Sequence, residues 1–349
     1  MNDRFRVGIT RDFLKPDCTI GFGEIGLRLL EADSWIELEF LAEDTRELRA
    51  DQVCDYDALL VLGARVTAAT LAGADRLAIV ARFGVGYDSV DVAACTDAAV
   101  LLTITPDGVR RPLASSVLAL LLALSHKLLI KDRLTRAGRW AEKLDHMGMG
   151  LTGRVLGIIG LGNIGREVPT LAQPLGMRHL ASDPYATAPD AAAIGVELLP
   201  LETLLAEADF VVICCALTTE THHLIDGARL ALMKPSAYLI NVARGPIVDQ
   251  VALTAALQGG RIQGAGLDVF EREPIDPDDP LLRLDNVILT PHAICWTDEC
   301  FRGIGRSACA GILEVAAGRV PPHVVNHEVR GQPLLLEKLR RIHERRAGA

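Results

Sequence analysis

The stretch that decides the fold is RVLGIIGLGNIGREV, residues 154–168. Its apolar run at 155–159 predicts a buried β-strand. Three glycines follow at Gly160, Gly162 and Gly165, and a helical pattern continues from them. In such a turn the first glycine permits the tight bend, the second admits a diphosphate close to the backbone, and the third lets helix and strand pack closely. The motif therefore predicts a phosphate-binding turn at a helix N-terminus.

An acidic residue stands where a bound dinucleotide would place its ribose. Asp183 in HLASDPY ends the next predicted strand, eighteen residues beyond Gly165. A carboxylate there can accept hydrogen bonds from both ribose hydroxyls and would repel a 2′-phosphate. The sequence therefore predicts NAD as the cofactor and disfavours NADP.

Short β-like runs alternate with helical patterns along the chain. The first series is FRVGIT, IELEFLA, YDALLVLG and RLAIVARFG, and the second is GRVLGIIG, HLASD, FVVICCAL, AYLINVA, GAGLDVF and NVILTPH. This alternation is typical of parallel sheets with crossover helices. Two series predict two α/β domains, each a doubly wound parallel sheet. The apolar stretch SSVLALLLALSHKLL, residues 115–129, predicts a packed helix that joins them.

The composition disfavours several other classes of protein. Lys and Arg number 36 against 45 Asp and Glu, a net charge of -9, which disfavours a nucleic-acid or anionic-membrane binder. The charged start MNDRFRVGITRDF is unlike a secretion signal. The longest apolar run is shorter than the roughly 20 residues that span a bilayer. Eight cysteines without a C-x-x-C pair predict free thiols in a reducing cytoplasm and no metal site.

Three residues of complementary chemistry follow strands of the second series. They are Arg244 in LINVARGPIVD, Glu273 in LDVFEREP and His292 in ILTPH. Strand ends of an open α/β sheet share the edge where ligands bind. A nicotinamide enzyme that reduces a 2-oxo acid must hold a carboxylate, polarise a carbonyl and supply a proton. A histidine that carries that proton near neutral pH needs a carboxylate beside it. The three residues are therefore the candidate catalytic group.

Together these motifs resemble those of the D-isomer-specific 2-hydroxyacid dehydrogenases, the family of D-glycerate, D-lactate and D-3-phosphoglycerate dehydrogenases. The resemblance covers about residues 50–330 and is carried by GLGNIGRE, INVARGPIVDQVAL with GAGLDVFEREP, and ILTPHAICWT. It implies a flavodoxin-like substrate domain built from 1–103 and 300–331. It also implies an inserted Rossmann NAD-binding domain at 104–299 and an active site in the cleft. Beyond the resemblance, the charged C-terminal tail at 332–349 contains EKLRRIHERR, which predicts a solvated helix face or a frayed end rather than a binding patch.

The resemblance also implies roles for individual residues. Arg244 would bind the carboxylate and carbonyl of the substrate, His292 would be the acid/base, and Glu273 would orient and charge it. The backbone N–H groups of Val85 and Gly86 would donate hydrogen bonds to the substrate carboxylate. A homodimer would form through the inserted domain, with the apolar helix 113–130 against its partner. The implied cofactor contacts are Gly160, Gly162, Asn163, Ile164, Gly165, Asp183, Cys215, Thr221, Val242, Ala243, Arg244, Asp268 and His292.

One departure from the family's pattern lies in TPDGVRRPLASS. Val109 and Ser115 stand where many relatives carry Asn and Glu, and Arg110 and Arg111 lie between them. Paired arginines could recognise a second acidic group on the substrate. The favoured alternative is that they begin a solvated helix or form an ion pair with the inserted domain.

A second departure lies in HAICWT. Cys295 stands where relatives often have Gly, and Trp296 stands where they have a small residue. Trp296 is a candidate substrate contact that would narrow the pocket. Packing in the core is the alternative interpretation.

The predicted function is therefore NAD-dependent hydride transfer between a small D-2-hydroxy acid and its 2-oxo acid, an oxidoreductase reaction on a CH–OH donor. An NAD-sensing corepressor is disfavoured because the chain keeps Arg244, Glu273 and His292 and lacks long disordered flanks. Formate oxidation is disfavoured because those relatives carry glutamine in place of the glutamate. Phosphite oxidation stays open. Glyoxylate or hydroxypyruvate is only the family's default substrate.

Overall fold

The computed structural model describes residues 4–348 and divides into two compact units. Unit 1 consists of residues 1–109 and 296–349, and unit 2 of residues 110–295. The domain boundaries expected from the sequence were 103/104 and 299/300, so unit 2 is shorter than the expected inserted domain by six residues at its start and four at its end.

Each unit contains one parallel sheet. The sheet of unit 1 has the order β2-β1-β3-β4-β5, the flavodoxin-like order. The sheet of unit 2 has the order β12-β11-β10-β9-β6-β7-β8, the Rossmann order with one further strand. The expected fold class is thus confirmed. The strands are β1 (Phe5–Ile9), β2 (Ile36–Phe40), β3 (Ala58–Val61), β4 (Ile79–Arg82), β5 (Leu101–Thr103), β6 (Val155–Ile159), β7 (Arg178–Ser182), β8 (Val196–Leu198), β9 (Phe210–Ile213), β10 (Tyr238–Asn241), β11 (Gly264–Leu267) and β12 (Val287–Leu289).

Helices flank both sheets. They are α1 (Arg28–Glu31), α2 (Ala50–Val53), α3 (Ala68–Leu71), α4 (Val92–Asp97), α5 (Pro106–Ser125), α6 (Leu128–Arg136), α7 (Asn163–Ala172), α8 (Ala188–Ala192), α9 (Leu201–Glu207), α10 (Gly227–Leu230), α11 (Gln250–Gln258), α12 (Asp298–Ala316) and α13 (Pro333–Ala347). With helices on both faces, the central strands are buried at every residue, as in β3, β9, β10 and β11.

Sequence patterning missed two strands, β5 and β8. Each has only three residues. β8 buries only Val196 fully and produces no apolar run, whereas β5 lies in the apolar run AAVLLTI at 98–104, which was an overlooked signal. Both occupy sheet edges, where a strand pairs on one side. The missed strands do not alter the strand ends that carry the candidate catalytic residues.

The apolar joining stretch forms two helices rather than one helix at 113–130. α5 ends at Ser125, Lys127 takes the left-handed backbone conformation with φ of +51°, and α6 begins at Leu128. By length and composition α5 passes as a membrane span, but 61% of that stretch is buried within the protein. That burial is the pattern of a core helix.

The C-terminal tail is only partly the solvated segment expected from its charges. α13 buries Leu335, Lys338, Leu339 and Ile342 on one face. Lys338 Nζ donates hydrogen bonds to the carbonyls of Leu77 and Ala98, both at 2.8 Å. Burial lowers the pKa of Lys338 to about 8. The tail therefore belongs to the core of unit 1, and the apolar residues between its charges were the overlooked signal.

We expect Lys338→Ala to lower the free energy of unfolding by about 2–4 kcal/mol, because two carbonyls lose their donor. Arg341→Ala is the control, since that side chain is 69% exposed and pairs with Glu337 at the surface. It should cost about 0.5 kcal/mol or less. Denaturant titration of both variants measures the difference. Equal losses would contradict the assigned role of Lys338.

Candidate active site

The glycine turn after β6 matches the separate roles expected for its glycines. Gly160 has φ of +92°, and a Cβ there would lie 2.6 Å from the backbone of Cys215. A Cβ on Gly165 would lie 2.0 Å from the carbonyl oxygen of Gly160, so only glycine lets α7 approach the turn. A Cβ on Gly162 would meet no protein atom within 4 Å. The space beside Gly162 therefore suits a ligand at the turn.

Helix α7 begins at this turn. Gly162 is its N-cap, and Asn163 and Ile164 form its first turn. N–H groups of a helix's first turn and the positive end of its dipole favour a phosphate. The residues present thus fit the diphosphate of a dinucleotide.

Asp183 holds the turn through its carboxylate. Its Oδ2 accepts the N–H of Leu161 at 2.7 Å, and its Oδ1 accepts those of Tyr185 and Ala186 at 2.7 and 3.0 Å. A carboxylate offers about four acceptor positions, so room remains for about one more hydrogen bond. Residues 184–190 contain no Lys or Arg that would attract a 2′-phosphate.

The loop after β9 carries the next two predicted cofactor residues. Cys215 lies against Gly160, and burial raises the pKa of its thiol to about 11. The thiol is therefore protonated near neutral pH and poorly reactive. Thr221 Oγ1 donates to the carbonyl of Ala216 at 2.7 Å and accepts the N–H of Thr218 at 2.7 Å. Thr221 thus fixes this loop.

Arg244 lies in the turn after β10, which Asn241 shapes. Asn241 is 1% exposed; its Nδ2 donates to the carbonyl of Arg244 at 2.9 Å, and its Oδ1 accepts the N–H of Ala243 at 3.0 Å. Val242, between them, is buried. Sequence reasoning missed Asn241, although a polar residue that ends an apolar strand was a usable signal.

The Arg244 turn and the Glu273 loop touch at Gly245. A Cβ there would lie 1.9 Å from the carbonyl group of Phe270. Phe270 in turn donates its N–H to Glu273 Oε1 at 3.0 Å. Any side chain at position 245 would separate the loops that carry Arg244 and Glu273.

His292 and Glu273 form the central contact of the site. Nδ1 of His292 lies 2.7 Å from Oε2 of Glu273, and both side chains are less than half exposed, at 45% and 38%. As a donor, Nδ1–H directs the other ring nitrogen, Nε2, away from the carboxylate. This is the arrangement of a histidine oriented for proton exchange.

The backbone of His292 is in the left-handed region, with φ of +53°. Such a conformation costs about 1–3 kcal/mol unless its surroundings impose it. Here Asp268 does so: its carbonyl accepts the N–H of His292 at 2.8 Å. Its buried Oδ1 accepts bonds from Thr290 Oγ1, Ala293 N and Ile294 N at 2.7, 2.9 and 3.1 Å. Asp268 therefore organises the histidine loop, a role that the sequence did not reveal.

The electrostatics of the pair favour a charged histidine. The hydrogen bond with Glu273 raises the pKa of His292 above its ordinary value, against the opposing effects of burial and of Arg244. Burial alone would raise the pKa of Glu273. Bonds from His292 and the Phe270 N–H, with the charges of His292 and Arg244, outweigh burial and lower that pKa.

Three of the remaining predicted substrate residues, Val85, Gly86 and Trp296, lie in unit 1. Val85 and Gly86 follow Gly84, which exchanges two hydrogen bonds with Thr105, both at 2.9 Å. Trp296 is 53% exposed. Its indole packs edge-on to Phe22 and Phe301, with ring centroids 5.2 and 5.5 Å away. Trp296 is thus packed on one side and open on the other.

Arg110 and Arg111 both contact Glu167 of α7. The N–O distances are 3.6 Å for Arg110 and 3.1 Å for Arg111. These ion pairs lie within unit 2 and favour the structural interpretation of the two arginines over recognition of a second substrate anion.

A Rossmann sheet with a dinucleotide turn and a histidine–glutamate–arginine group at its strand ends is the arrangement of a nicotinamide-dependent oxidoreductase. Residues 118–293 match the family model described as D-isomer specific 2-hydroxyacid dehydrogenase, NAD binding domain. A glyoxylate reductase from Korarchaeum cryptofilum is 40% identical over 303 residues, 86% of this chain and 90% of that one. The chain therefore belongs to the D-isomer specific 2-hydroxyacid dehydrogenases, a family of oxidoreductases.

Solved structures show the same likeness. The TT0316 protein from Thermus thermophilus superposes with a TM-score of 0.80 at 32% identity, covering 92% of this chain and 100% of that one. D-lactate dehydrogenase from Aquifex aeolicus, in complex with NAD and lactic acid, gives a TM-score of 0.78 at 27% identity and covers 89% and 96%.

We expect Gly245→Ala to lower oxidoreductase activity by roughly 10²-fold, because misplacing catalytic groups by about 1 Å can cost that much. It should also cost about 1–3 kcal/mol of stability through overpacking. Gly227→Ala is the control, since its Cβ would meet nothing nearer than Ala252 Cβ at 3.7 Å. Steady-state rates and denaturant titration measure both effects. Full activity in Gly245→Ala would show that the loop contact is unimportant.

Proposed function

We propose that the protein catalyses reversible, NAD-dependent reduction of a small 2-oxo acid to the D-2-hydroxy acid. The observation that carries this proposal is the 2.7 Å contact between His292 Nδ1 and Glu273 Oε2 on strand ends of an NAD-binding domain. The charged histidine that this contact favours is the group that must supply a proton to the oxygen on C2.

His292 is the acid/base of the proposed mechanism. In reduction, Nε2–H donates its proton to the C2 oxygen as that oxygen gains charge. The neutral imidazole keeps its Nδ1–H bond to Glu273, and solvent later restores the proton. In oxidation the neutral Nε2 removes the hydroxyl proton. General acid catalysis of this kind contributes roughly 10²–10⁴-fold.

Arg244 binds the substrate carboxylate and polarises the C2 carbonyl. Its planar guanidinium can meet a carboxylate with two parallel hydrogen bonds, which lysine cannot do. Arg244 Nη1 donates to the carbonyl of Ala243 at 2.8 Å, which helps to fix the direction of the side chain. Val85 and Gly86 are the candidate backbone donors to the same carboxylate.

NAD is the proposed cofactor, and when bound it supplies or accepts the hydride. Asn163 and Ile164 would receive its diphosphate at the start of α7, beside Gly160, Gly162 and Gly165. Asp183 would accept one ribose hydroxyl, since three backbone N–H groups already occupy its oxygens. Cys215, Thr221, Val242, Ala243 and Asp268 would complete the site, with Asp268 toward the nicotinamide.

Glyoxylate is the first proposed substrate, because the similar proteins from Korarchaeum cryptofilum and Thermococcus onnurineus are named glyoxylate reductase. Hydroxypyruvate, the other default substrate of the family, is the second. Trp296 remains a candidate wall of the substrate pocket. The proposed assembly is a homodimer through unit 2. Around α5 and α6 that unit exposes apolar side chains suited to an interface, namely Leu128, Leu129, Trp140, Leu144 and Met147. Within the described residues the cysteines form no disulfide, which fits the proposed cytoplasmic location.

The decisive experiment is NADH consumption with a panel of 2-oxo acids, comparing the wild-type protein with His292→Ala. We expect turnover of at least one small 2-oxo acid and a loss of roughly 10²–10⁴-fold in the variant. NADH affinity, measured by fluorescence, should change little. If NADH binds but no 2-oxo acid is reduced, the proposal fails and a regulatory role or phosphite oxidation becomes the better account.

The pH dependence gives a second prediction. Because Glu273 raises the pKa of His292, Glu273→Gln should lower that pKa. Reduction needs protonated His292, so its rate falls as pH rises through this pKa. In Glu273→Gln the fall should begin at lower pH than in the wild type, while oxidation should extend to lower pH. Rate profiles in both directions test this, and an unchanged profile would rule out Glu273 as the charging group.

A further inference from the structure

A second carboxylate on the catalytic loop makes contacts that the proposed mechanism does not use. Glu271 lies two residues before Glu273, and its Oε1 is 2.6 Å from Nε2 of His223. The same oxygen accepts the N–H of Gln250 at 3.2 Å. The N–H of Glu271 donates to Gln250 Oε1 at 3.1 Å, so the two residues bind each other reciprocally.

These partners come from the loops that follow two other strands. His223 belongs to the loop after β9, which carries Thr221, and donates its N–H to the carbonyl of Pro246 at 2.8 Å. Gln250 begins α11, directly after the Arg244 turn, and its Nε2 reaches Asp279 Oδ2 at 2.7 Å. One carboxylate thus connects the loop proposed to contact the cofactor, the arginine turn and the glutamate loop.

The contact between Glu271 and His223 joins two partly buried side chains and is not a fully exposed surface pair. The side chains of Glu271 and His223 are 31% and 40% exposed. The ring of His223 also stacks on that of His222, with centroids 4.1 Å apart and planes at 24°. His223 has φ of +50°, a left-handed conformation that is uncommon for a non-glycine residue. Its ring is therefore held by Glu271 and His222, and its backbone is held by the carbonyl of Pro246.

Glu271 lies close in the chain to Glu273, the residue that contacts His292. One residue separates it from Glu273, whose Oε1 is bonded to the N–H of Phe270 and whose Oε2 is bonded to His292. If residue 271 moved, the segment that presents the Glu273 carboxylate would move with it. The bond between Glu273 and His292 would then lengthen.

We propose that Glu271, held by His223 and Gln250, is a positioning residue that sets the distance between Glu273 and His292. This inference rests on the proposed function, in which His292 exchanges a proton with the substrate. It assigns Glu271 no contact with substrate or cofactor.

The test is Glu271→Ala, read by the kcat of reduction and by NMR titration of the His292 imidazole. Groups near that imidazole are Glu273, Arg244 and Asp268. We expect kcat to fall by about tenfold or more through misplacement, with KM and NADH affinity nearly unchanged. The pKa of His292 should move down toward the ordinary histidine value. Glu271→Gln can still accept the Gln250 N–H and should restore most of both properties.

Asp278→Ala is the matched control, since that side chain lies on the same loop and is 95% exposed. It should leave both readouts unchanged. If Glu271→Ala does not fold, His223→Ala removes one of the contacts and should show the same changes to a smaller extent. A variant that loses thermal stability but keeps the wild-type kcat and His292 pKa would overturn the inference.

Failure of this inference is distinguishable from failure of the proposed function. If the wild type reduces 2-oxo acids through His292 while Glu271→Ala behaves normally, only the positioning role is wrong. If the wild type reduces none of them, the proposed function fails first. The NMR titration would still report whether Glu271 controls the Glu273–His292 contact.

Discussion

The hydrogen bond between His292 and Glu273 is the contact on which the candidate site depends. It forms only because other residues of their loops position both side chains. His292 follows β12 and Glu273 follows β11, so the 2.7 Å distance requires two loops to meet with fixed geometry. Asp268 imposes the left-handed backbone of His292 through bonds to four groups of the histidine loop. A buried carboxylate thus positions a half-exposed histidine, and the conformational strain is offset by hydrogen bonds elsewhere in the loop.

The glycines of the site allow backbone segments to approach each other closely. Gly160 lets the turn approach Cys215, Gly165 lets α7 begin against the turn, and Gly245 lets the loops that carry Arg244 and Glu273 touch. For Gly165 the spacing of glycines within one short stretch predicts the contact. For Gly245 the contacting residue, Phe270, is 25 positions away (270 − 245), and no local pattern indicates that the backbones meet.

This contrast explains how much could be predicted from the sequence. Periodicity and the glycine motif predicted two parallel sheets, the turn at Gly160 and the strand ends that present Arg244, Glu273 and His292, because these depend on neighbours in the chain. The supporting roles of Asn241 and Asp268 depend on loops brought together by the fold, so only the structure reveals them. The ion pairs of Arg110 and Arg111 with Glu167 are of the same kind. Strand β8 and the buried face of α13 were missed because brevity or charge hid a weak apolar signal, whereas the apolar run that forms β5 was overlooked.

In the proposed complex, substrate binding would also raise the pKa of His292, the proposed proton donor. Before binding, Arg244 lowers the pKa of His292 while Glu273 raises it. In the proposed complex the substrate carboxylate pairs with Arg244 and neutralises its field at the histidine. The opposing effect of Arg244 is then reduced while that of Glu273 remains, so His292 holds its proton more tightly with substrate bound. Consumption of that proton leaves a neutral imidazole beside Glu273, whose charge favours reprotonation. In the proposed complex, Arg244 would therefore couple substrate binding to the protonation state that reduction requires.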